Sequence, residues 1–398
     1  MANHDEVTRA LAAAYAHGPG KAVLPDADVH HDPARAEGGV RTPLRELAAW
    51  GEFGAALARL LSSALTPQRW EPYNLYNDHR AYPSPRAAFL VEVAVRTEQG
   101  RWCLDPLRRE LVGAARPAPA GTVRLELLRH SEALRAGYGE LADALVELET
   151  GHLAAAVAEH AASLPLTVTS GLDTLTLTPG VPVRPGLVDG APRSAGVGAP
   201  PPTPAAPRSA GVGPRGLSAD PRPLPESAAR AFAAALTDPP PGSPAGAGGL
   251  WCRLAVRNVT GLTDGWYETA PLALVPGADG PAMTAVQAAY VYPRAQFDVG
   301  GVNLALLIAG DVQAAVRADG PDGYRALLQQ AGALAQHACS AAAASGLFCR
   351  PVRAIREALL EAAAGAPASH DALYLLLAGR PRFSWFDYDL SALPVDAG

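Results

Sequence analysis

The chain is short of several things, and each shortage narrows what it can be. It holds four cysteines in 398 residues, Cys103, Cys252, Cys339 and Cys349, with no two spaced as CxxC. Such scatter suggests neither a disulfide framework nor a zinc site. Basic residues do not exceed acidic ones: the formal net charge is −6. A general nucleic-acid binder would show a basic stripe, and nothing here would draw the chain to an anionic membrane. Apolar runs are too short and too rich in Ala and Gly to span a bilayer. Met1-Ala2-Asn3-His4-Asp5-Glu6 lacks the basic start and apolar core of a signal peptide. The expectation is a reduced, cytoplasmic protein without membrane or nucleic-acid partners. No Gly-x-Ser-x-Gly elbow or Cys/His pairing points to nucleophilic catalysis, and Gly246-Ala247-Gly248-Gly249 has no following Lys-Ser/Thr for a phosphate loop. His30-His31 with Asp28 and Asp32 has no distant partner at ligand spacing, so no metal is expected.

What is present is an internal echo. Ala144 to Ala156 reads as a variant of Ala326 to Ala338, and Pro83 to Val95 pairs with Pro244 to Val256 in the same order. Two matched pairs in one order predict a duplicated unit, a dimer fused into one chain. Apolar residues are 48% of the chain, inflated by alanine, with only 6% aromatic. At this length two or three domains are expected.

Periodicity predicts a helix from Pro43 through Leu61, ended by Pro67 and Pro72. It then predicts a strand at Ala88 to Val95, a short strand near Trp102 and a helix from Leu141 to Ser163. Residues 187–225 are rich in Pro, Gly, Ala and Ser, and Ala-Pro-Arg-Ser-Ala-Gly-Val-Gly occurs there twice. Few large apolar groups offset the ordering entropy, so this stretch reads as a flexible linker between units 1–186 and 226–398. The second unit repeats the pattern: helix Glu226 to Leu236, strands at Leu250 to Val256, Trp266 to Glu268 and Leu304 to Ala309, long helix Tyr324 to Ser345, helix Val352 to Ala364 and strand Leu373 to Leu377.

Four segments carry a resemblance: Arg80-Ala81-Tyr82-Pro83-Ser84 leading into Val91-Glu92-Val93; Val259 to Tyr267; Leu306-Leu307-Ile308-Ala309-Gly310-Asp311 running on to Ala335-Gln336-His337; and Leu373 to Pro381. Together they resemble FMN-dependent nitroreductase-fold proteins, and among them the SagB-type dehydrogenases that oxidise azolines to azoles in ribosomal-peptide maturation. The resemblance covers about two thirds of the chain. It implies an α+β nitroreductase-like fold in tandem, FMN in a cleft between the units, a modified-peptide substrate and a cyclodehydratase complex as partner. Arg41 and Arg45 fall where the family places phosphate-binding arginines. Ser84 and Arg86 lie on the Pro-Ser-x-Gly turn, and Arg380 and Arg382 follow the closing strand. The family's Lys-Tyr pair is matched by Ala318 and Asp319, which leaves Asp319 and Tyr324 as the candidate acid/base groups. The first half reads as shortened at this segment. His152 and His337 lie on the echoed helices. Two rival readings stay open: a flavin-free scaffold binding a peptide or partner enzyme, and an NAD(P)H-dependent reductase of a small molecule.

Overall fold

The computed structural model describes residues 39–70, 78–118, 121–181, 212–213, 216–237, 249–382 and 388–391. Two antiparallel sheets carry the architecture. The first is built from β1 (Val40–Pro43), β2 (Val91–Thr97), β3 (Gly100–Asp105), β4 (Glu110–Gly113), β5 (Val123–Arg129), β6 (Leu166–Ser170) and β7 (Thr174–Pro179), in the order β1-β4-β3-β2-β5-β7-β6. The second uses β8 (Leu250–Val256), β9 (Gly265–Thr269), β10 (Leu272–Asp279), β11 (Leu304–Gly310), β12 (Phe348–Val352) and β13 (Asp371–Gly379), in the order β10-β9-β8-β11-β13-β12. Leaving β1 aside, each strand of the first sheet has its counterpart six labels later at the same place in the second. The duplication is therefore one of topology.

The helices follow the same plan. The first unit has α1 (Gly51–Leu65), the short α2 (Glu132–Tyr138) and the long α3 (Leu141–Ala161). The second has α4 (Glu226–Ala234), α5 (Ala282–Ala289), α6 (Val312–Ala344) and α7 (Glu357–Ala364). In each unit a central strand (β5, β11) leads to the long helix (α3, α6), which returns to an antiparallel edge pair: the hairpin β6–β7 in the first unit, and β12 and β13 joined through α7 in the second. The run Leu141–Ala161 is rich in Ala and Leu, strong helix formers, and is buried on almost every side. A helix apolar all round belongs in an interior. Here the interior is the seam between the units, where α3 packs on α6, and one continuous core runs from the first unit into the second. A separate core lies on the other face of the second sheet, under α5 and α7.

Several sequence expectations change. The first half is not shortened. Gly139 (φ 55) breaks the chain between α2 and α3, and Gly320 (φ 60) breaks α6 in the same way. As many residues separate Gly139 from Gly151 as separate Gly320 from Gly332. The echo is thus displaced by one residue: Gly151 corresponds to Gly332 rather than to Ala333. Tyr138 then stands where the second unit has Asp319. The long helix begins at Val312 instead of Tyr324, its first turn capped by Asp311, which accepts from the Ala314 N–H at 2.7 Å. Phe348–Val352 is a strand, and the last helix starts only at Glu357.

Within the stretch expected to be a linker, residues 216–225 run along the second unit: Leu217 and Leu224 are buried, and Leu224–Pro225 pairs parallel with Val259–Thr260. Most of residues 187–215, and His30-His31 with Asp28 and Asp32, lie outside the described residues. Near the C-terminus, Tyr388–Asp389 pairs with Arg69–Trp70 of the first unit, and the Tyr388 and Trp70 rings stack at 5.6 Å. No helix among the described residues is long and apolar enough to cross a membrane.

Candidate functional site

The two long helices cross at glycine. A Cβ on Gly151 would stand 1.9 Å from the Gln329 carbonyl oxygen, and one on Gly332 would stand 2.1 Å from that of Leu148. Such an approach admits no side chain at either position. The reciprocal contacts mark a pseudo-twofold relation between the units.

Buried polar groups line this seam. At one end the Glu147 carboxylate faces Arg129 (3.1 Å), Arg325 (2.9 Å) and the Gln329 amide (2.7 Å). Asp173 pairs with the same two arginines. Near the crossing, His152 Nδ1 meets the Gln336 side-chain oxygen at 3.1 Å, while the Gln336 NH2 donates to the Ala81 carbonyl at 2.9 Å. The His152 ring also stands edge-on to Tyr374 at 5.7 Å. Farther along, Glu159 holds His337 Nδ1 and accepts from the Ser340 hydroxyl, both at 2.7 Å. Buried polar groups are tolerated when paired, and these tie the lobes together.

The loop from Arg80 to Leu90 lies against this seam. Arg86, Ala87 and Phe89 have φ of 52°, 53° and 51°, left-handed backbone that disfavours side chains. Arg86, fourth in the Pro83-Ser84-Pro85-Arg86 turn, takes a left-handed backbone conformation that glycine adopts without strain. Glu149, on α3 and 1% exposed, anchors the loop. It accepts from the Ser84 hydroxyl (2.8 Å) and the Val91 N–H (3.3 Å), and Ser84 Oγ in turn accepts the Phe89 N–H (2.7 Å). Burial pushes the Glu149 carboxyl up to about 7, against the pull of Ser84, the Val91 and Leu90 amides and the nearby Arg80 cation. The Arg80 guanidinium sits 3.9 Å from the Phe89 ring centroid. Arg86 Nε donates to the Tyr138 hydroxyl at 3.0 Å.

The other residues expected from sequence occupy three further places. Arg41, on edge strand β1, is paired with Asp105 (3.4 Å) and Glu110 (3.2 Å). Arg45 is exposed in the 3-10 helix Leu44–Trp50. Arg380 and Arg382 follow β13 and lie along residues 218–223. Arg380 donates to the Pro223 carbonyl (3.1 Å) and Arg382 to the Ser218 hydroxyl (3.4 Å). Asp319 is exposed at the break in α6, and Tyr324 is half-buried on that helix. Ser84 and Arg86 share the loop on the seam, and Arg380 and Arg382 share the segment after β13. The hydrogen bonds described for the two pairs link them neither to each other nor to Arg41, Arg45, Asp319 or Tyr324.

Sequence reasoning missed Glu149, Arg80, Glu147 and Gln336. The signal available was Glu147 and Glu149 in the middle of a long Ala/Leu-rich helix, a costly placement unless partners await them. Among the described residues no group of three His, Cys, Asp or Glu could hold a metal.

No family model matches the chain, and no curated protein matches it in sequence. A solved structure assigned as a nitroreductase from Anabaena variabilis superposes with TM-score 0.72 over 94% of this chain and 99% of its own, at 15% identity. The chain therefore has a nitroreductase-like α+β fold, with two sheets consistent with tandem units. The E. coli microcin synthetase McbBCD complex with truncated pro-MccB17 matches 42% of this chain and 68% of its own, at 18% identity and TM-score 0.34. A nitroreductase-family protein from Clostridium difficile matches 43% of this chain and 83% of its own, at 13% identity and TM-score 0.28.

The resemblance noted in the sequence implies flavin mononucleotide, and the donors present suit its phosphate unequally. Arg41 already faces two carboxylates, so an anion there would compete with both. Arg380 keeps a buried Nε with no hydrogen-bond partner among the described residues, a donor a phosphate oxygen would satisfy. The Arg380–Arg382 pair fits the group; the Arg41 side does not.

Proposed function

We propose that the chain is an FMN-dependent oxidoreductase of the SagB type, acting on a modified peptide and converting azoline to azole within a peptide-modifying assembly that includes a cyclodehydratase. The observation that carries this reading is the Arg80–Leu90 loop. It lies at the seam of a duplicated nitroreductase-like fold, its Ser84 hydroxyl is fixed by Glu149, and Arg86 keeps the backbone of a glycine. Arg380 and Arg382 would hold the phosphate, and Ser84 and Arg86 would border the ring. Bound there, FMN would supply the hydride acceptor, with oxygen as terminal oxidant. Asp319 or Tyr324 would take the accompanying proton; exposure suits Asp319 to that exchange with solvent. Arg41 and Arg45 would mark the pseudo-equivalent pocket, in which Asp105 and Glu110 have displaced the anion.

A flavin-free scaffold is the second reading, favoured by that same neutralised Arg41. The two part on colour. Protein purified after expression, or incubated with FMN and desalted, should be yellow and release FMN on denaturation. Colourless protein that stays empty would eliminate the enzyme reading, and rapid bleaching by NADPH would replace the dehydrogenase with a reductase.

A further inference from the structure

The Glu149 carboxyl is shut into the seam beneath a segment whose backbone stores strain at three non-glycine positions. Strain of this kind persists only when something holds the segment down. Besides the Arg86–Tyr138 hydrogen bond and the His130 N–H donated to the Leu90 carbonyl, two ties bind the loop to the long helices. Gln336 of the second unit grips the Ala81 carbonyl at the head of the loop, and Glu149 grips Ser84 and Val91 along its body. Only the second tie is titratable. We propose that Glu149 positions the Ser84–Leu90 loop and gates it through its proton: neutral, it holds the loop shut; ionised, it releases it.

The geometry gives the direction. With a proton on Oε2, Glu149 donates to Ser84 Oγ while Oε1 still accepts the Val91 N–H, so the closed loop loses no hydrogen bond when the group is neutral. Without the proton, a full charge is enclosed by apolar packing, a state burial penalises. Lifting the loop hydrates that charge. Opening therefore restores an ordinary carboxyl, and ionisation favours opening.

The charged and titratable neighbours are Arg80 and Tyr82 on the loop, and Glu147 and His152 on α3. Glu147 is bound by Arg129 and Arg325, and His152 faces Gln336. On α6 His337 is held by Glu159. Arg80 opposes the effect, since its cation favours the anion, but it also stacks on Phe89 and leaves with the loop. The closed-state carboxyl lies near 7, against an ordinary 4.5. The open population should thus rise as pH climbs from about 4.5 toward about 7, by up to about tenfold per unit and on the order of a hundredfold in all, then level off. The link from this loop to cofactor or substrate exchange rests on the function proposed above; the gate itself does not.

Hydrogen exchange at the Phe89 and Val91 amides, corrected for intrinsic rates and followed across that pH range, tests it without flavin. The wild type should lose protection with rising pH. Glu149→Gln, isosteric and neutral, should stay protected and flat throughout. Ser84→Ala, which removes a hydrogen bond favouring the anion, should move the transition to higher pH. A flat wild-type profile, an unaltered slope in Glu149→Gln, or no displacement in Ser84→Ala would overturn the gate. A colourless protein that still shows the transition would sink the proposed function and leave the gate standing.

Discussion

Replacing Gly151 with alanine tests the fused seam at its tightest point. The new Cβ would sit 1.9 Å from the Gln329 carbonyl oxygen and 2.7 Å from its carbonyl carbon. Both obstacles are backbone of α6, so no side chain can swing aside. Even to reach 3.0 Å, below which Cβ contacts essentially do not occur, the helices must part by roughly 1 Å, and an ordinary contact needs more. A gap of that size forfeits a quarter to a half of each dispersion contact it opens. Overpacking of this kind costs up to about 3 kcal/mol. Alanine returns about 1 kcal/mol through its better helix propensity, leaving a net loss near 2 kcal/mol. Gly332→Ala meets Leu148 in the same way and should cost a similar amount. One displacement relieves both clashes, so the double variant should lose less than the sum. Chemical denaturation followed by tryptophan fluorescence and circular dichroism gives the three values. Variants as stable as the parent, or fully additive losses, would refute backbone contact at the crossing.

Three more outcomes follow from buried groups. Glu147→Ala strips Arg129 and Arg325 of their buried counter-charge, leaving them only the exposed Asp173 and, for Arg325, the similarly exposed Asp322. Stability should fall by about 3 kcal/mol, and a loss below about 1 kcal/mol in urea titration would show the pair to be solvated. For Glu149 the folded carboxyl lies near 7 and the ordinary value is 4.5, so the unfolded chain ionises first. Its burial costs nothing below about 4.5 and the full amount, about 3 kcal/mol, above about 7. Glu149→Gln should therefore gain on the wild type as pH rises through that window; a constant difference would contradict the burial. Cys252 is half-buried like Cys103, but desolvation pushes its thiol up to about 12. It should react more slowly with iodoacetamide in the native state than Cys103, and mass spectrometry of labelled peptides would expose the opposite order.

Much of the fold was legible because the duplicated segments are the buried ones. Leu250–Val256, Leu304–Gly310 and the helix Leu141–Ala161 carry runs of apolar residues whose period survives any surface change. The strands Val123–Arg129 and Thr174–Pro179 were not legible. Each largely alternates apolar residues with Arg, Glu or Thr over only seven and six residues, a pattern that loops also show. The helix break at Gly139 and Gly320 escaped notice because its left-handed backbone matters only once the two helices are superposed. Of the site, the Pro-Ser turn was visible as a motif. Its support was not, because Glu149 lies far from Ser84 in sequence and Gln336 reaches it from the other unit. That Arg41 faces Asp105 and Glu110 is likewise a fact of strand pairing, created when β1 docks on β4.

The most direct measurement is flavin stoichiometry. Protein saturated with FMN, freed of excess by gel filtration and assayed by absorbance against total protein, should carry one flavin per chain. That flavin should be lost in Arg380→Ala/Arg382→Ala and kept in Arg41→Ala. No flavin, two per chain, or loss that follows Arg41 instead would contradict the account.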